Sequence, residues 1–402
     1  MDEKPQSFEF TSYRFEPRKK RIVFRYRVLF ARGKPLVFEE VITLPSVPNL
    51  AHLPQGLVRK ILESLHVMLG ISYWKFRCPP TLKLPYSLSK PEADFWNTVW
   101  KKGLGEFFYR NRLGPNNAPK FPYRANARPA AYVLKQNQKI LAGMGGGKDS
   151  IVVAELLKQQ HEPAAAFFVE TNKRSELVRG VIKKTGLKGV IIGRQLDSKV
   201  FEKHLYNGHV PVSAIYAFLG VMTAAFYGYG FVAVGNEHSS NFGNIRYRGL
   251  EVNHQWSKSL EFELLFREYV DRVIGSDIRY FSLLRPLHEI RITKLFVRYP
   301  QYFSAFSSCN RNFSAVDRRG SGNPPSLKVS ARQRWCLNCP KCVFSFLMLS
   351  AWLPKKQLLR IFKKNLYGDK KLLPFFEDVL GLGSMKPFDC VGTFEEAQTA
   401  LH

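Results

Sequence analysis

The stretch Ile140-Leu141-Ala142-Gly143-Met144-Gly145-Gly146-Gly147-Lys148-Asp149-Ser150 constrains this chain more than any other. An apolar run ends, glycines turn the chain, and a helical pattern runs on from about Asp149 to Gln160. Glycines let backbone N–H groups converge on an anion with no side chain in the way. The first turn of a helix adds unpaired N–H donors and the positive end of its dipole. Such a turn belongs at the carboxyl end of a strand, where open α/β sheets hold their ligands. The alternation continues downstream. Ala164–Val169, Val190–Gly193 and Phe231–Val234 read as buried strands, with Ser175–Thr185 (opened by a Ser cap) and Ser213–Phe226 as helices. The pattern predicts an α/β fold with a doubly wound, mostly parallel sheet.

The flanks read differently. Residues 1–130 form an N-terminal α+β unit: Ile22–Phe30 and Leu36–Leu44 are β-rich runs joined by a Gly-Lys-Pro turn, and Gln55–Leu69 and Pro91–Leu113 have helical spacing. Proline-rich, irregular sequence from Gly114 to Pro129 marks the boundary. Residues 131–300 hold the glycine loop, and residues 301–402 a cysteine-rich, helical C-terminal extension. Ser257–Ile274 reads as an amphipathic helix, Val343–Trp352 as a buried helix, and Asp317–Ser330, rich in Gly, Pro, Ser and Arg, as a mobile loop. Val210–Gly235 carries no charge and is long enough to span a bilayer, but Pro211, Ser213, Thr223 and the Tyr227-Gly228-Tyr229-Gly230 break make it a buried helix followed by a buried strand. The polar N-terminus lacks a signal-peptide core, so a cytoplasmic location without a membrane span is expected.

Sixty-one Lys and Arg against 32 Asp and Glu give a net charge of +29, a field that draws anions. Nucleic acid, an anionic membrane surface and a small phosphorylated, carboxylated substrate all satisfy it. Six cysteines are too few for a disulfide scaffold. Cys336-x₂-Cys339-x₂-Cys342, with Cys309 upstream, has a pitch that suits four thiolates around tetrahedral zinc. An iron–sulfur centre, a proton-carrying or nucleophilic thiol, and inert core cysteines stay open beside it. Cys78 and Cys390 stand apart and carry no argument.

Two common phosphate motifs fail at the glycine loop. A Walker A loop needs glycine where Ala142 stands and Ser or Thr where Asp149 stands, and the dinucleotide fingerprint needs glycine where Lys148 stands. Gly145-Gly146-Gly147-Lys148-Asp149-Ser150 instead resembles S-G-G-x-D-S, the PP-loop of ATP pyrophosphatases. The resemblance implies that Gly145, Gly146, Gly147, Lys148, Asp149 and Ser150 grip the leaving pyrophosphate, with Asp149 near Mg²⁺. Gly145 replaces the family's first Ser, which removes one hydroxyl donor and keeps the backbone donors. It further implies nucleotide or substrate contacts at Asn236 and Glu237, which end the fourth strand, and at Arg285 in Leu284-Arg285-Pro286-Leu287, with His288 beside it.

Longer phrases narrow the family. Leu65-His66-Val67-Met68-Leu69-Gly70-Ile71-Ser72-Tyr73-Trp74-Lys75, Gly103-Leu104-Gly105-Glu106-Phe107-Phe108-Tyr109-Arg110-Asn111, Asn253-His254-Gln255-Trp256-Ser257-Lys258 and Ser308-Cys309-Asn310, with the glycine loop and cysteine knot, resemble the MurL family of UDP-N-acetylmuramoyl-L-alanyl-L-glutamate epimerases over nearly the whole chain. That resemblance implies ATP and Mg²⁺, structural Zn²⁺ at Cys309, Cys336, Cys339 and Cys342, and no pyridoxal phosphate. It implies an anionic nucleotide-sugar peptide as substrate, a place beside a UDP-MurNAc-L-Ala L-glutamate ligase in peptidoglycan synthesis, and inversion of the terminal glutamate through an acyl-adenylate. Glu237, His254, Lys258 and the cysteines are the candidates for proton transfer. A PP-loop tRNA-modifying enzyme is the alternative; with no RNA-binding module in the sequence, nucleic acid is the weaker partner and stays open.

Overall fold

The computed structural model describes residues 4–127, 132, 133, 137–172, 175–202, 206–275, 277–310 and 334–402; the expected loop Asp317–Ser330 lies outside them. The chain opens with a long antiparallel meander: β1 (Pro5–Glu16), β2 (Arg21–Phe30) and β3 (Leu36–Thr43). Helix α1 (Gln55–Trp74), strand β4 (Thr81–Lys83) and helices α2 (Lys90–Gly103) and α3 (Gly105–Arg110) follow. The sequence pattern had α2 and α3 as one helix. It breaks at Leu104, with Gly103 pressed on Pro211, where a Cβ would come within 2.7 Å of the proline ring.

The α/β part supplies β5 (Ile140–Gly143), α4 (Lys148–Gln159), β6 (Ala164–Thr171), α5 (Glu176–Thr185), β7 (Lys188–Gln195), α6 (Val212–Tyr227) and β8 (Phe231–Val234). As read from sequence, Ser175 caps α5 by accepting a hydrogen bond from the Val178 amide. A small hairpin, β9 (Ile245–Tyr247) and β10 (Leu250–Val252), leads to α7 (Leu260–Tyr269), β11 (Arg279–Ser282) and α8 (Glu289–Phe296). The amphipathic segment Ser257–Ile274 is not one continuous α-helix: a 3₁₀ turn over Trp256–Lys258 precedes α7, and a π turn over Val270–Ile274 follows it. The C-terminal region is helical, with α9 (Pro340–Ser350), α10 (Lys355–Phe362), α11 (Leu373–Leu380) and α12 (Phe394–Leu401).

Among the described residues the main sheet has nine strands in the order β11-β8-β5-β6-β7-β3-β2-β1-β4. The five strands from β11 to β7 are parallel. β3 then pairs antiparallel with β7, Val41 opposite Gln195 and Thr43 opposite Gly193. Residues 1–130, read as a unit of their own, thus extend the same sheet as residues 131–300. Side chains alternate across it: Leu141 and Phe167 face a core shared with α1, α2, α6 and α7, while Ile140, Ala142 and Ala166 face one built by α4, α8 and the C-terminal helices. The uncharged stretch from Val210 is α6 followed by β8, as expected, and among the described residues no helix is long and apolar enough to cross a membrane.

The parallel strands follow one another outward from β5 through β6 to β7, and then resume on the other side of β5 with β8 and β11. The order reverses between β5 and β8. At such a switch point neighbouring connections run to opposite faces and leave a crevice at the strand ends.

Candidate active site

The glycine loop opens into that crevice. Met144 donates its amide to Phe167 O, closing β5, and Gly147 caps α4. Gly146 lies in the left-handed region with φ +79°, and a Cβ there would press on Leu177 at 2.9 Å. Among the described residues nothing stands within 4 Å of the corresponding position on Gly145, so none of them closes that side of the turn. Ser150 turns its hydroxyl back on Gly147 O at 3.0 Å. A hydroxyl also arrives from far along the chain: a Cβ on Gly147 would lie 3.0 Å from Ser308 Oγ, and Ser307 donates its amide to Gly146 O. Ser308 therefore stands beside the glycine loop.

Beside the loop lies a dense set of buried charges. Lys148 turns inward, its Nζ 2.5 Å from Asp149 Oδ1 and paired also with Glu289 at the start of α8. Both carboxylates hold its ammonium well above the ordinary lysine range against the cost of burial. Glu289 Oε1 is 3.7 Å from Lys341 Nζ on α9. Gly235 closes β8 against the α4 start, with a Cβ position 3.2 Å from the Asp149 carbonyl. This brings buried Asn236 and Glu237 next to Asp149. Burial and the nearby Glu289 and Asp149 charges push the Glu237 carboxyl up to about 7, although Lys258 opposes them. Lys258 itself is held above its ordinary range: Cys390, Glu237, Asp149 and Glu289 outweigh its burial.

Arg285 does not face the crevice as a free cation. Its guanidinium donates to Glu237 O, Lys258 O, Ser240 Oγ and Glu263 Oε2 at 2.6–3.0 Å. It braces the segments that carry Glu237 and Lys258. His288, half exposed, lies against His238 with the rings tilted at 49° and sits 3.5 Å from Glu396.

His254, by contrast, is built into a chain of groups that the sequence did not single out. Its Nδ1 is 2.5 Å from Glu106 Oε2 on α3, and the Cys390 thiol lies close enough to act on its charge. His209 Nδ1 is 3.5 Å from the same Glu106 oxygen. Burial would lower the His254 pKa, but Cys390 and Glu106 together raise it to about 10. Glu106 falls to about 2 despite its burial, because His254 donates to it. Burial beside charged His254 drops His209 to about 3. Burial would raise the Cys390 thiol, yet Lys258, His254 and Lys341 bring it down to about 6. Glu106 and His254 lie in two of the phrases that carried the family resemblance, so a signal for them existed. Cys390 had none, since a single cysteine near the end of a chain has no spacing to read.

The four cysteines of the knot converge. The sulfurs of Cys309, Cys336, Cys339 and Cys342 lie within 4.8 Å of one another, half-buried at Cys336 and buried elsewhere. The Cys336 amide donates to Cys309 Sγ at 3.4 Å, and the Cys336 and Cys342 sulfurs are 3.7 Å apart. Four converging thiols in a dry setting fit a tetrahedral soft-metal site.

Comparison with known proteins accords with this architecture. The MurL N-terminal domain matches residues 1–283 and the MurL C-terminal domain residues 305–402. A UDP-N-acetyl-alpha-D-muramoyl-L-alanyl-L-glutamate epimerase from Xanthomonas oryzae pv. oryzae is 37% identical over 92% of this chain and 80% of its own length. Proteins of the same name from Micromonospora sp. and Salinispora tropica are 34% and 35% identical over 98% of this chain, and over 86% and 84% of theirs. A solved structure titled as a predicted subunit of tRNA methyltransferase from Methanocaldococcus jannaschii shares 16% identity over 40% of this chain and 76% of its own, with a TM-score of 0.23, and that likeness carries no argument. Matched in both domains and along almost its full length, the chain belongs to the MurL family of UDP-N-acetyl-alpha-D-muramoyl-L-alanyl-L-glutamate epimerases.

Proposed function

We propose that this protein inverts the terminal L-glutamate of UDP-MurNAc-L-Ala-L-Glu to D-glutamate at the cost of ATP cleaved to AMP and pyrophosphate. Family membership supports the reaction. The observation that carries the use of ATP is the open glycine turn at the β5–β8 switch point, with Asp149 and Glu237 beside it. The amides from Gly145 to Ser150 and the α4 N-terminus would hold the departing diphosphate. Asp149 would carry Mg²⁺ once a nucleotide draws it from Lys148. Four thiolates would hold structural Zn²⁺.

ATP cleavage answers a definite chemical problem. Removing the Cα proton of glutamate next to an ionised carboxylate would build a dianion. Joining that carboxylate to AMP removes its charge and makes the proton far more acidic. A base then takes the proton, another group returns one on the opposite face, and water releases AMP. The basic charge of the chain suits a substrate rich in phosphates and carboxylates. A nucleotide-linked substrate supports a cytoplasmic reaction that follows a ligase adding L-glutamate.

The test is release of AMP, pyrophosphate and D-glutamate from the purified protein with UDP-MurNAc-L-Ala-L-Glu, with Asp149→Asn and Ser150→Ala alongside. Both variants are expected to stay folded and to lose about 10²-fold or more in turnover, since they disturb the electrostatics of the leaving group. AMP release stimulated by tRNA and indifferent to the muramoyl peptide would reject the epimerase in favour of an RNA-modifying enzyme.

A further inference from the structure

An epimerisation needs two proton-transfer groups on opposite faces of the reacting carbon, and the question is which side chains here meet that requirement. Cys390 has the surroundings of a working thiol. Its carbonyl is held by Lys341 Nζ. Lys341 reaches Glu289, and Glu289 is paired with Lys148, the residue that follows the glycine loop. A continuous run of contacts therefore links the Cys390 backbone to the residue that follows the phosphate turn. On its other side stand His254 and, behind it, Glu106.

The segment bearing the thiol is pinned on both sides. Asp389 accepts from Asn310, and Val391 O accepts from Gln255 Nε2 at 3.1 Å. His254 is fixed through its own amide, which donates to Asn244 Oδ1 at 2.8 Å, while Asn244 Nδ2 donates to Pro387 O at 2.7 Å. Thiol, imidazole and carboxylate come from three separate segments and are locked in one order. The charged and titratable groups acting on the thiol are His254, Lys258 and Lys341, with Lys386 and the Glu106–His209 pair further out. This is the arrangement of a nucleophile or base activated by a histidine that a carboxylate orients. Nothing in the packing of the core requires a cysteine there, since Cys390 is half-buried on a loop.

We propose that Cys390 is one of the two proton carriers at the glutamyl Cα, with His254 and Glu106 as the pair that positions it and stabilises its thiolate. The inference rests on the reading above that the glutamate is first adenylated. The thiolate takes the Cα proton, so a C–H bond breaks and an S–H bond forms. The electron pair moves into the adenylated carbonyl as an enolate. A second acid on the opposite face gives Cα a new proton, and water then cleaves the mixed anhydride to release AMP. The thiol then releases its proton to water, which restores the thiolate beside charged His254, the second acid regains a proton from water, and nothing is oxidised or reduced.

The test separates adenylation from proton transfer. With the full-length protein and UDP-MurNAc-L-Ala-L-Glu, substrate-driven exchange of labelled pyrophosphate into ATP reports adenylation. Formation of D-glutamate in D₂O, with deuterium at Cα, reports proton transfer. Cys390→Ala is expected to keep the exchange within about threefold and to lose D-glutamate formation by about 10²–10⁴-fold. D-Glutamate formed by Cys390→Ala within about threefold of the parent rate overturns the proposal and leaves the epimerase reading standing. Absence of exchange in the parent defeats the epimerase reading itself.

A second measurement does not depend on turnover. Iodoacetamide should alkylate Cys390 in the parent with a midpoint near pH 6, as mapped by peptide mass, and His254→Gln should move that midpoint up by at least about one unit. A thiol that alkylates only above pH 8 in the parent, or a midpoint unmoved in His254→Gln, overturns the role of the pair.

Discussion

Glu237 shows what a single buried carboxyl implies. Its pKa in the fold is about 7 against an ordinary 4.5, because burial and the carboxylates of Glu289 and Asp149 disfavour its charge. Between those values the native state binds more protons than the unfolded chain, so this group's contribution to stability falls as pH rises through the window. The whole effect is at most about 3 kcal/mol. Replacing the carboxyl by an amide removes it. Glu237→Gln should melt close to the parent at pH 5 and above it at pH 8, in calorimetric scans without nucleotide, and equal gaps at both pH values would refute the assignment. How legible such residues are depends on whether their chemistry is local. The glycine turn could be read because six consecutive residues set its backbone. Arg285 was read as a contact and is a brace, because the four groups it binds are scattered from Glu237 to Glu263. Cys390 was passed over because its partners His254 and Glu106 are joined to it only by folding.

Elements were legible where their hydrophobic period is long. Helix α6 and strand β8 emerged from the uncharged stretch, and β2 and β3 from their β-branched runs. Strand β1 was missed because its charged residues mask Phe8 and Phe10, both buried. Strand β11 was missed because Arg279 and Ser282 bracket only two apolar residues, Tyr280 and Phe281. The cysteine knot was legible from its pitch, and its place in the fold gives it mechanical meaning. Cys339 caps α9, Cys342 lies in the first turn of that helix, and Cys309 comes from the segment after α8. A bound metal would fasten α9 to the α/β layer and fix Lys341, which reaches both Glu289 and Cys390. Elemental analysis is expected to find about one zinc per chain. Cys309→Ser should lose the zinc and unfold in urea more easily by over about 2 kcal/mol. A protein that purifies without metal, with a Cys309→Ser midpoint equal to the parent's, would count against a structural ion.

At the scale of the molecule, the sheet is one piece although its two halves have different construction. Among the described residues, antiparallel β1–β3 pair with the parallel strands only where β3 meets β7 over three residues. A buried ion pair sits across that seam. Arg194 on β7 donates to Glu40 on β3 at 2.6 Å and to Ser72 on α1 at 3.0 Å, and both charges are essentially closed to solvent. Isolating one partner of such a pair costs about 3–5 kcal/mol, whereas replacing both with apolar residues of similar size is often close to neutral. Glu40→Ala should therefore lower the urea midpoint strongly, because the Arg194 guanidinium is left dry and half paired. The double variant Glu40→Leu with Arg194→Met should recover most of that loss. The measurement also asks whether the halves unfold together. If the seam couples them, fluorescence of the N-terminal tryptophans Trp74, Trp96 and Trp100 and far-ultraviolet dichroism should follow one transition in the parent and split in Glu40→Ala. A single coincident transition in all three proteins, with Glu40→Ala as stable as the parent, would mean that the apolar cores on the two faces already join the halves and that the ion pair contributes nothing to their union.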